Sequence, residues 1–569
     1  MNPQSRSHLW VLLAYIVAAI VVTWPLVLNF MQGIPYGGDG FQFIWNGWWV
    51  SKAINDPALS IWWTPYQYAP GGTSLVLHDL SLVNAYMQAM LRPMIGDFAA
   101  YNTLVLSHYV LAAWGAYILA WHLTGNRAGS VVAGVIYGFS VHHAMHLPQL
   151  STASSGWLPL SVYYLLKYTR DGGWKDGVLS VAMLLLTALT HSYHFAFAAV
   201  VFFGLMLIGQ IGLREHLGGV KRWARAIQPG VVALLVLSPL IVDIWQELKV
   251  RGTQWQVEMG KNYYIDPAWL ILPPPAHPVL GVLSRSLEGT IPGNATEGVA
   301  SLGIVAILLG LLSWFRRDRT TRAWCWLGLI LLVLGLGTTI TVLGHKLGIP
   351  GPFLLWSRIA GLNLVRAPAR FVEPLTLALG MASAGWIAGL GPSWHKGLRR
   401  LFLLWALPIL IVFETLVIPI PISGSEYRHP ALARLGEIYR EATGEANPPD
   451  LLINFPLLPE RRQFLLHQTI HEIPTHDGAL SYPPPGALDY YLDFNWNPEY
   501  LKTVGIGLVL FHPWAAESRL GEHFDIPPDA KGRAEEWAGQ RVEPLVFFRD
   551  VMGYRIAYED ERLVVLIPE

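Results

Sequence analysis

Long uncharged apolar runs fill the first 420 residues of this 569-residue chain, and no other feature restricts its fold so strongly. A helix needs about 20 mostly apolar residues to cross a bilayer. Eleven runs meet or approach that length: 9–30, 99–123, 128–146, 155–169, 177–191, 193–212, 227–246, 298–315, 324–345, 371–390 and 401–420. The short runs 155–169 and 177–191 suit tilted or broken spans. Charged residues make up only 14% of the chain. An average soluble domain carries about 25%, so a single water-soluble core is excluded. The expected fold is mainly α, a polytopic transmembrane helix bundle of about 11 spans.

The formal net charge is zero, which leaves no electrostatic footprint for nucleic acid. A single cysteine, Cys325, rules out an intramolecular disulfide and a cysteine metal cluster. The run 9–30 follows Arg6 with no obvious small-residue cleavage site after it, so it reads as a retained helix. With the N-terminus cytoplasmic, every dense basic group falls on the cytoplasmic side. These groups are Arg127; Lys167, Arg170 and Lys175; Arg214, Lys221, Arg222 and Arg225; Arg316, Arg317, Arg319 and Arg322; and Lys396, Arg399 and Arg400. An odd number of spans then leaves the C-terminal part extracytoplasmic, which in a bacterium means outside the inner membrane. Residues 1–420 form the membrane domain, with 31–98 as a large first outer loop; 247–297 and 346–370 are two further long outer segments. Residues 421–569 read as a small α/β domain, with strands at Leu451–Phe455, Gly507–Phe511 and Leu563–Ile567 and helices at Ala431–Ala442 and Ala530–Ala538.

The first outer loop opens with Gly37-Gly38-Asp39-Gly40 and continues into Phe41, Ile44, Trp45, Trp48 and Trp49. That spacing predicts a helix with one aromatic face, lying in the membrane interface, with Asp39 at its start. A carboxylate there can take a proton from a hydroxyl or hold a metal ion; the plainer role is a helix cap. Asp79, in Leu77-His78-Asp79-Leu80, reads the same way, with the cap favoured. His142, His143 and His146 lie near the outer end of the third run. His142 and His146 share a helix face, which suits a metal, a sugar or a phosphate as well as a ligand-free polar cluster. His191 and His194 point to the same side. Glu297 reads as a cap or a substrate contact. Arg358, Arg366 and Arg370 are an excess of positive charge for an outer segment. Forked guanidinium groups match phosphate oxygens; pairing with acids such as Glu373 is the plainer alternative. No phosphate-cradling glycine loop, dinucleotide fingerprint or His-Glu-x-x-His motif is present.

One span, an outer loop opened by an acid, many further spans and an outer C-terminal domain together resemble the superfamily C (GT-C) membrane glycosyltransferases. In detail the chain looks most like YfhO-like and related polytopic bacterial members. The stretches that carry the resemblance are Gly38-Asp39-Gly40 with Trp45-Asn46-Gly47-Trp48, Arg366-Ala367-Pro368-Ala369-Arg370-Phe371, Leu452-Ile453-Asn454-Phe455-Pro456 and Gln468-Thr469-Ile470-His471-Glu472-Ile473-Pro474. The resemblance implies a polyprenyl-phosphate-linked sugar donor drawn from the membrane. It implies an extracytoplasmic glycan, lipid or protein as acceptor and Asp39 as catalytic base. Many members carry two adjacent acids or Asp-x-Asp; here Asp39 is followed by Gln42, with no second acid until Asp56. A divalent cation, magnesium or manganese, is the one cofactor this reading admits. Asp79, His142, His143, His146, Glu297, Arg366 and Arg370 are the expected substrate-binding residues. Two other classes compete. A flippase for lipid-linked saccharides would use mid-membrane acids, for which Asp243 and Glu414 are the candidates. A non-catalytic envelope scaffold would leave Asp39, the histidines and the arginines dispersed.

Overall fold

The computed structural model describes residues 3–209, 219–251, 262–356, 367–424, 427–445, 451–455, 462–476, 478, 504, 506–513, 524–525, 535–536 and 538–569. Helices dominate up to residue 414. They are α1 (Pro3–Val22), α2 (Gly38–Asn55), α3 (Leu82–Ile95), α4 (Asp97–Thr124), α5 (Arg127–Gly138), α6 (Val141–Met145), α7 (Leu150–Ala153), α8 (Trp157–Asp171), α9 (Trp174–Thr190), α10 (Ser192–Leu207), α11 (Gly219–Val236), α12 (Ser238–Arg251), α13 (Ala295–Gly298), α14 (Ile304–Ser313), α15 (Arg319–Gly335), α16 (Val372–Ala388) and α17 (Leu407–Glu414), with further short helices at Phe353–Trp356 and Gly397–Leu401. Among the described residues, Asp97–Thr124 and Pro368–Ala388 are long and apolar enough to cross a membrane alone. A third crossing is available if α11 and α12, bent by 64° at their junction, act as one broken span.

Several expected runs end early, each for a local reason. The first helix stops at Val22, just ahead of Pro25, where the missing N–H and the fixed φ break the ladder. The run 128–146 divides at Phe139, because the Ser140 side chain accepts from His143 N and starts a new turn. The run 298–315 is helical only over Ile304–Ser313, and 401–420 only as far as Glu414. The run 324–345 ends at Gly335; Thr339–Val342 and His345–Pro350 pair as an antiparallel hairpin, as β-branched Thr339, Ile340 and Thr341 favour.

The centre of the bundle is built on small residues. A Cβ at Gly134 would lie 2.7 Å from Ala113 O, and one at Gly129 2.6 Å from Ala384 O. These two glycines let α5 press against the backbones of α4 and α16, the mode of close packing that apolar solvent favours. Strands β1 (Gly33–Pro35) and β2 (Ile422–Gly424) then tie the segment after the first helix to the segment after α17, antiparallel, with Gly33 opposite Gly424. Tyr36 N donates to Pro421 O (2.8 Å), and Asn102 Nδ2 donates to Gly33 O (2.7 Å). This anchor sets where α2 begins, and so where Asp39 stands.

Beyond residue 424, β3 (Leu452–Phe455), β4 (Leu508–Phe511), β5 (Tyr554–Glu559) and β6 (Val564–Pro568) form a four-stranded sheet in the order β5-β6-β4-β3, parallel only between β3 and β4. Alternate residues serve two apolar layers: Ile453, Phe455, Val509 and Leu566 on one face, and Leu452, Leu508, Leu510 and Val565 on the other. The three expected strands lie within a residue of the short apolar runs that predicted them. The expected helix over 431–442 is a 3-10 turn, Pro430–Arg434, followed by a helix, Leu435–Thr443. The expected helix over 530–538 lies largely outside the described residues. Helix α18 (Arg462–His471) leaves the sheet and packs on α2.

Candidate active site

Helix α2 departs most from expectation. Its apolar face is covered by protein: Phe41, Ile44, Trp45, Trp48 and Trp49 are all buried. The three tryptophans are covered by α18 and by the loop between α2 and α3, while Phe41 and Ile44 pack into the helix bundle. Trp45 Nε1 donates to Gln468 Oε1 (2.7 Å), Trp48 Nε1 to Glu472 Oε1 (3.2 Å), and Lys52 Nζ reaches Glu472 Oε2 at 2.9 Å. Each indole thus has a partner for its N–H, the usual condition for burying Trp. The polar side of α2 holds the following loop. Asn46 Nδ2 donates to Asp79 O (2.9 Å) and Leu80 O (3.1 Å), while Asn46 Oδ1 lies 2.9 Å from His78 Nε2. Burial pushes the His78 imidazole down to about 3, so it is neutral.

These contacts bring Asp39 and Asp79 to one cleft of about 360 Å³, together with Gln149, His191, Tyr193, Arg370 and Arg462; Leu240, Ile244 and Leu248 of α12 form an apolar wall. Asp39 lies in the first turn of α2, but Gly37 occupies the cap position. The Asp39 carboxylate accepts from Gln149 Nε2 (2.7 Å) and is ion-paired with Arg462. Asp79 opens no helix, since α3 starts at Leu82 after Ser81. Its Oδ2 accepts from Ser151 Oγ at 2.7 Å. The capping reading is therefore replaced for both acids by side-chain contacts at the cleft.

Glu297 is not a cap either. Asn294 caps α13, accepting from Glu297 N (2.9 Å), and the buried Glu297 carboxylate takes the Arg370 guanidinium as a fork, with Arg370 Nε to Oε1 at 2.9 Å and Nη2 to the same oxygen at 2.5 Å. Arg370 also lies over the Tyr193 ring, 5.0 Å from its centroid. Its acid partner is thus Glu297 rather than Glu373. His146 Nε2 stands 3.5 Å from Glu297 Oε2. Glu373 lies deeper, 3.2 Å from His194 Nε2 and 3.9 Å from His142 Nε2, and its Oε1 accepts from Tyr137 (3.2 Å). His143 turns aside to Ala153 O (2.8 Å) and Ser155 Oγ (2.9 Å). The three expected histidines and Glu297 are thus placed behind Arg370 and do not line the cleft. Arg358 and Arg366 lie outside the described residues.

Gln149, Ser151, Tyr193 and Arg462 are further cleft-side groups that the sequence did not single out as site residues. Gln149 had a signal, its place just after the histidine cluster, and Tyr193 sits between His191 and His194. Arg462 had none, because the loop it reaches lies more than 400 residues away. Among the flippase candidates, Asp243 is exposed, and Glu414 Oε2 accepts from Val305 N (2.9 Å), which ties it to the start of α14. For a divalent cation the donor set fits poorly. Both contacts recorded for the Asp39 carboxylate are N–H donors, and among the described residues no three His, Cys, Asp or Glu side chains are grouped to hold a metal.

The sequence matches no protein-family model and no curated protein. Solved structures are similar in fold. The mycobacterial arabinofuranosyltransferase AftD matches over 97% of this chain and 41% of its own length, with a TM-score of 0.52 and 14% identity. The Archaeoglobus fulgidus oligosaccharyltransferase matches over 88% of this chain and 68% of its own (TM-score 0.48, 12% identity). ArnT from Cupriavidus metallidurans matches over 97% of both chains (TM-score 0.43, 12% identity). The likeness to AftD extends over nearly the whole chain, while this chain spans less than half of AftD. The chain thus shares its overall fold with AftD.

Proposed function

We propose that this protein is a membrane glycosyltransferase that moves a sugar from a polyprenyl-phosphate-linked donor to an extracytoplasmic acceptor, a glycan, lipid or protein. The observation that carries the reading is that Asp39, Asp79 and Arg370 line one cleft with an apolar wall, while His142, His143 and His146 lie outside its lining. The likeness in fold to a glycosyltransferase supports it, and dispersal of the acids from the arginine would have favoured a scaffold. The cleft opens to the outer side of a bacterial inner membrane, with the N-terminus cytoplasmic.

Transfer proceeds with inversion. Asp39 takes the proton of the acceptor hydroxyl as its oxygen bonds to the anomeric carbon. The bond from that carbon to the lipid phosphate breaks, and the phosphate keeps the electron pair. Arg370 stabilises the charge that builds there, held toward the cleft by Glu297, with His146 behind. Asp79 accepts from a sugar hydroxyl, and His142 and His143 support the wall from behind. Such a phosphate leaves without a strong general acid. The test is Asp39→Asn, assayed in membranes for transfer from a lipid-linked sugar. Removing a general base should lower kcat by about 10²–10⁴-fold. Turnover at the parental rate would take Asp39 out of the mechanism, and proton-driven export without product would indicate a flippase.

A further inference from the structure

The charges at the cleft are already matched in pairs. Arg370 is forked onto Glu297, and Arg462 faces Asp39. Asp79 Oδ2 accepts from the neutral hydroxyl of Ser151, and its charge acts on Arg370. A lipid phosphate entering this cleft meets Arg370 with its charge already shared with Glu297, so a second cation among the described residues is freed only if a pair opens. The two pairs differ in how readily they can open. The side chains of Arg370 and Glu297 are 9% and 7% exposed, and separating them would strand two buried charges. Those of Arg462 and Asp39 are 36% and 23% exposed, so water screens the parting and this pair costs less to break than the buried one.

We infer that Arg462, carried by α18, is the mobile phosphate-binding cation of this site. It rests on Asp39 while the cleft is empty and swings to the phosphate when a polyprenyl phosphate enters. The inference rests on the glycosyltransferase reading and adds a coupling to it. Asp39 is released to accept a proton only when the group that must leave is in place. This makes the C-terminal part a contributor to the site as well as its cover. The scaffold around α18 suits such a role. Gln468 and Glu472 are fixed to Trp45 and Trp48 at one end, while Arg462, the first residue of the helix, stands at the other. One side chain can then move without the helix moving.

The experiment measures binding of undecaprenyl phosphate, without sugar, to the full-length protein in nanodiscs. Arg462→Gln should weaken binding at least tenfold, and Arg462→Lys less, since it keeps the charge and loses the fork. Asp39→Asn should tighten binding several-fold while abolishing transfer, because it frees Arg462 and removes a negative charge. A purely structural Arg462 would not produce that opposite pair of effects. Equal binding by parent, Arg462→Gln and Asp39→Asn, all with parental melting temperatures, would overturn the inference and leave the role of Asp39 intact. If Arg462→Gln does not fold, Asp39→Asn decides alone: unchanged or weaker binding overturns the inference. If the parent binds no undecaprenyl phosphate at all, the donor class is wrong and the inference falls with it.

Discussion

Arg370 shows how one residue can serve both stability and chemistry. Its fork onto Glu297 is buried, with His146 on the far side of the acid. Cutting one partner from such a pair leaves an uncompensated buried charge, at a cost of about 3–5 kcal/mol. Glu297→Gln should therefore lower the melting temperature sharply. Glu297→Leu combined with Arg370→Met should cost less than the two single changes added together, and a thermal-melt double-mutant cycle reads this directly. Arg370→Lys keeps the charge and loses planarity. It should fold and yet lose about one to two decades of kcat/KM for the donor, the worth of one charge-assisted hydrogen bond. Parental transfer by the lysine variant would make Arg370 a structural partner of Glu297 alone. The arginine itself stood out as a phosphate candidate because Arg358, Arg366 and Arg370 crowd positive charge into one segment. Its partner was not, because Glu297 lies 73 residues away and nothing local marks which acid a guanidinium will choose.

At the scale of elements, α18 is the piece on which the cleft depends. Trp45→Ala removes a fully buried indole and its bond to Gln468, and should destabilise by about 3–5 kcal/mol, with α18 exchanging amide hydrogens first. The same helix carries His467 and His471, which burial holds down to about 4 and about 3. Unfolded histidines take up protons below about pH 6.5, while these stay neutral when folded. Stability therefore falls as the pH drops from about 6.5 toward about 4. Hydrogen exchange at pH 7.5 and pH 5 should show α18 loosening at the lower pH before the spans do; equal protection at both would mean that the two histidines find other partners. Periodicity located this helix poorly. In Gln463-Phe464-Leu465-Leu466-His467-Gln468 nearly every side chain is buried, so the helix lacks the polar stripe that marks a surface helix. The strands β3, β4 and β6 were legible because each is a short apolar run bounded by turn residues. The reading of α2 as an interfacial helix failed for a related reason: an aromatic face looks the same in sequence whether lipid or protein covers it.

For the whole molecule, the positive-inside pattern gives a topology that can be checked from outside the cell. In a Cys325→Ala background, Asn55→Cys should react with a membrane-impermeant maleimide in intact cells, and Lys396→Cys only after permeabilisation. Both positions are exposed. The reverse pattern would invert the protein and put the cleft on the cytoplasmic side. The number of crossings was less legible than their chemistry, because hydropathy counts apolar residues without registering where Ser140 or Gly335 ends a helix. The strand pair Gly33–Pro35 with Ile422–Gly424, and the bond from Trp45 to Gln468, bear on time as well as space. Residues 45 and 468 are 423 apart. At about 5–20 residues per second a ribosome needs roughly 20–85 s to pass from one to the other. Throughout that interval the tryptophans of α2 have been delivered and the part of their cover that α18 supplies has not been made. A newly inserted chain must wait with that aromatic face only partly covered, and a chaperone or the lipid itself has to hold it until α18 arrives.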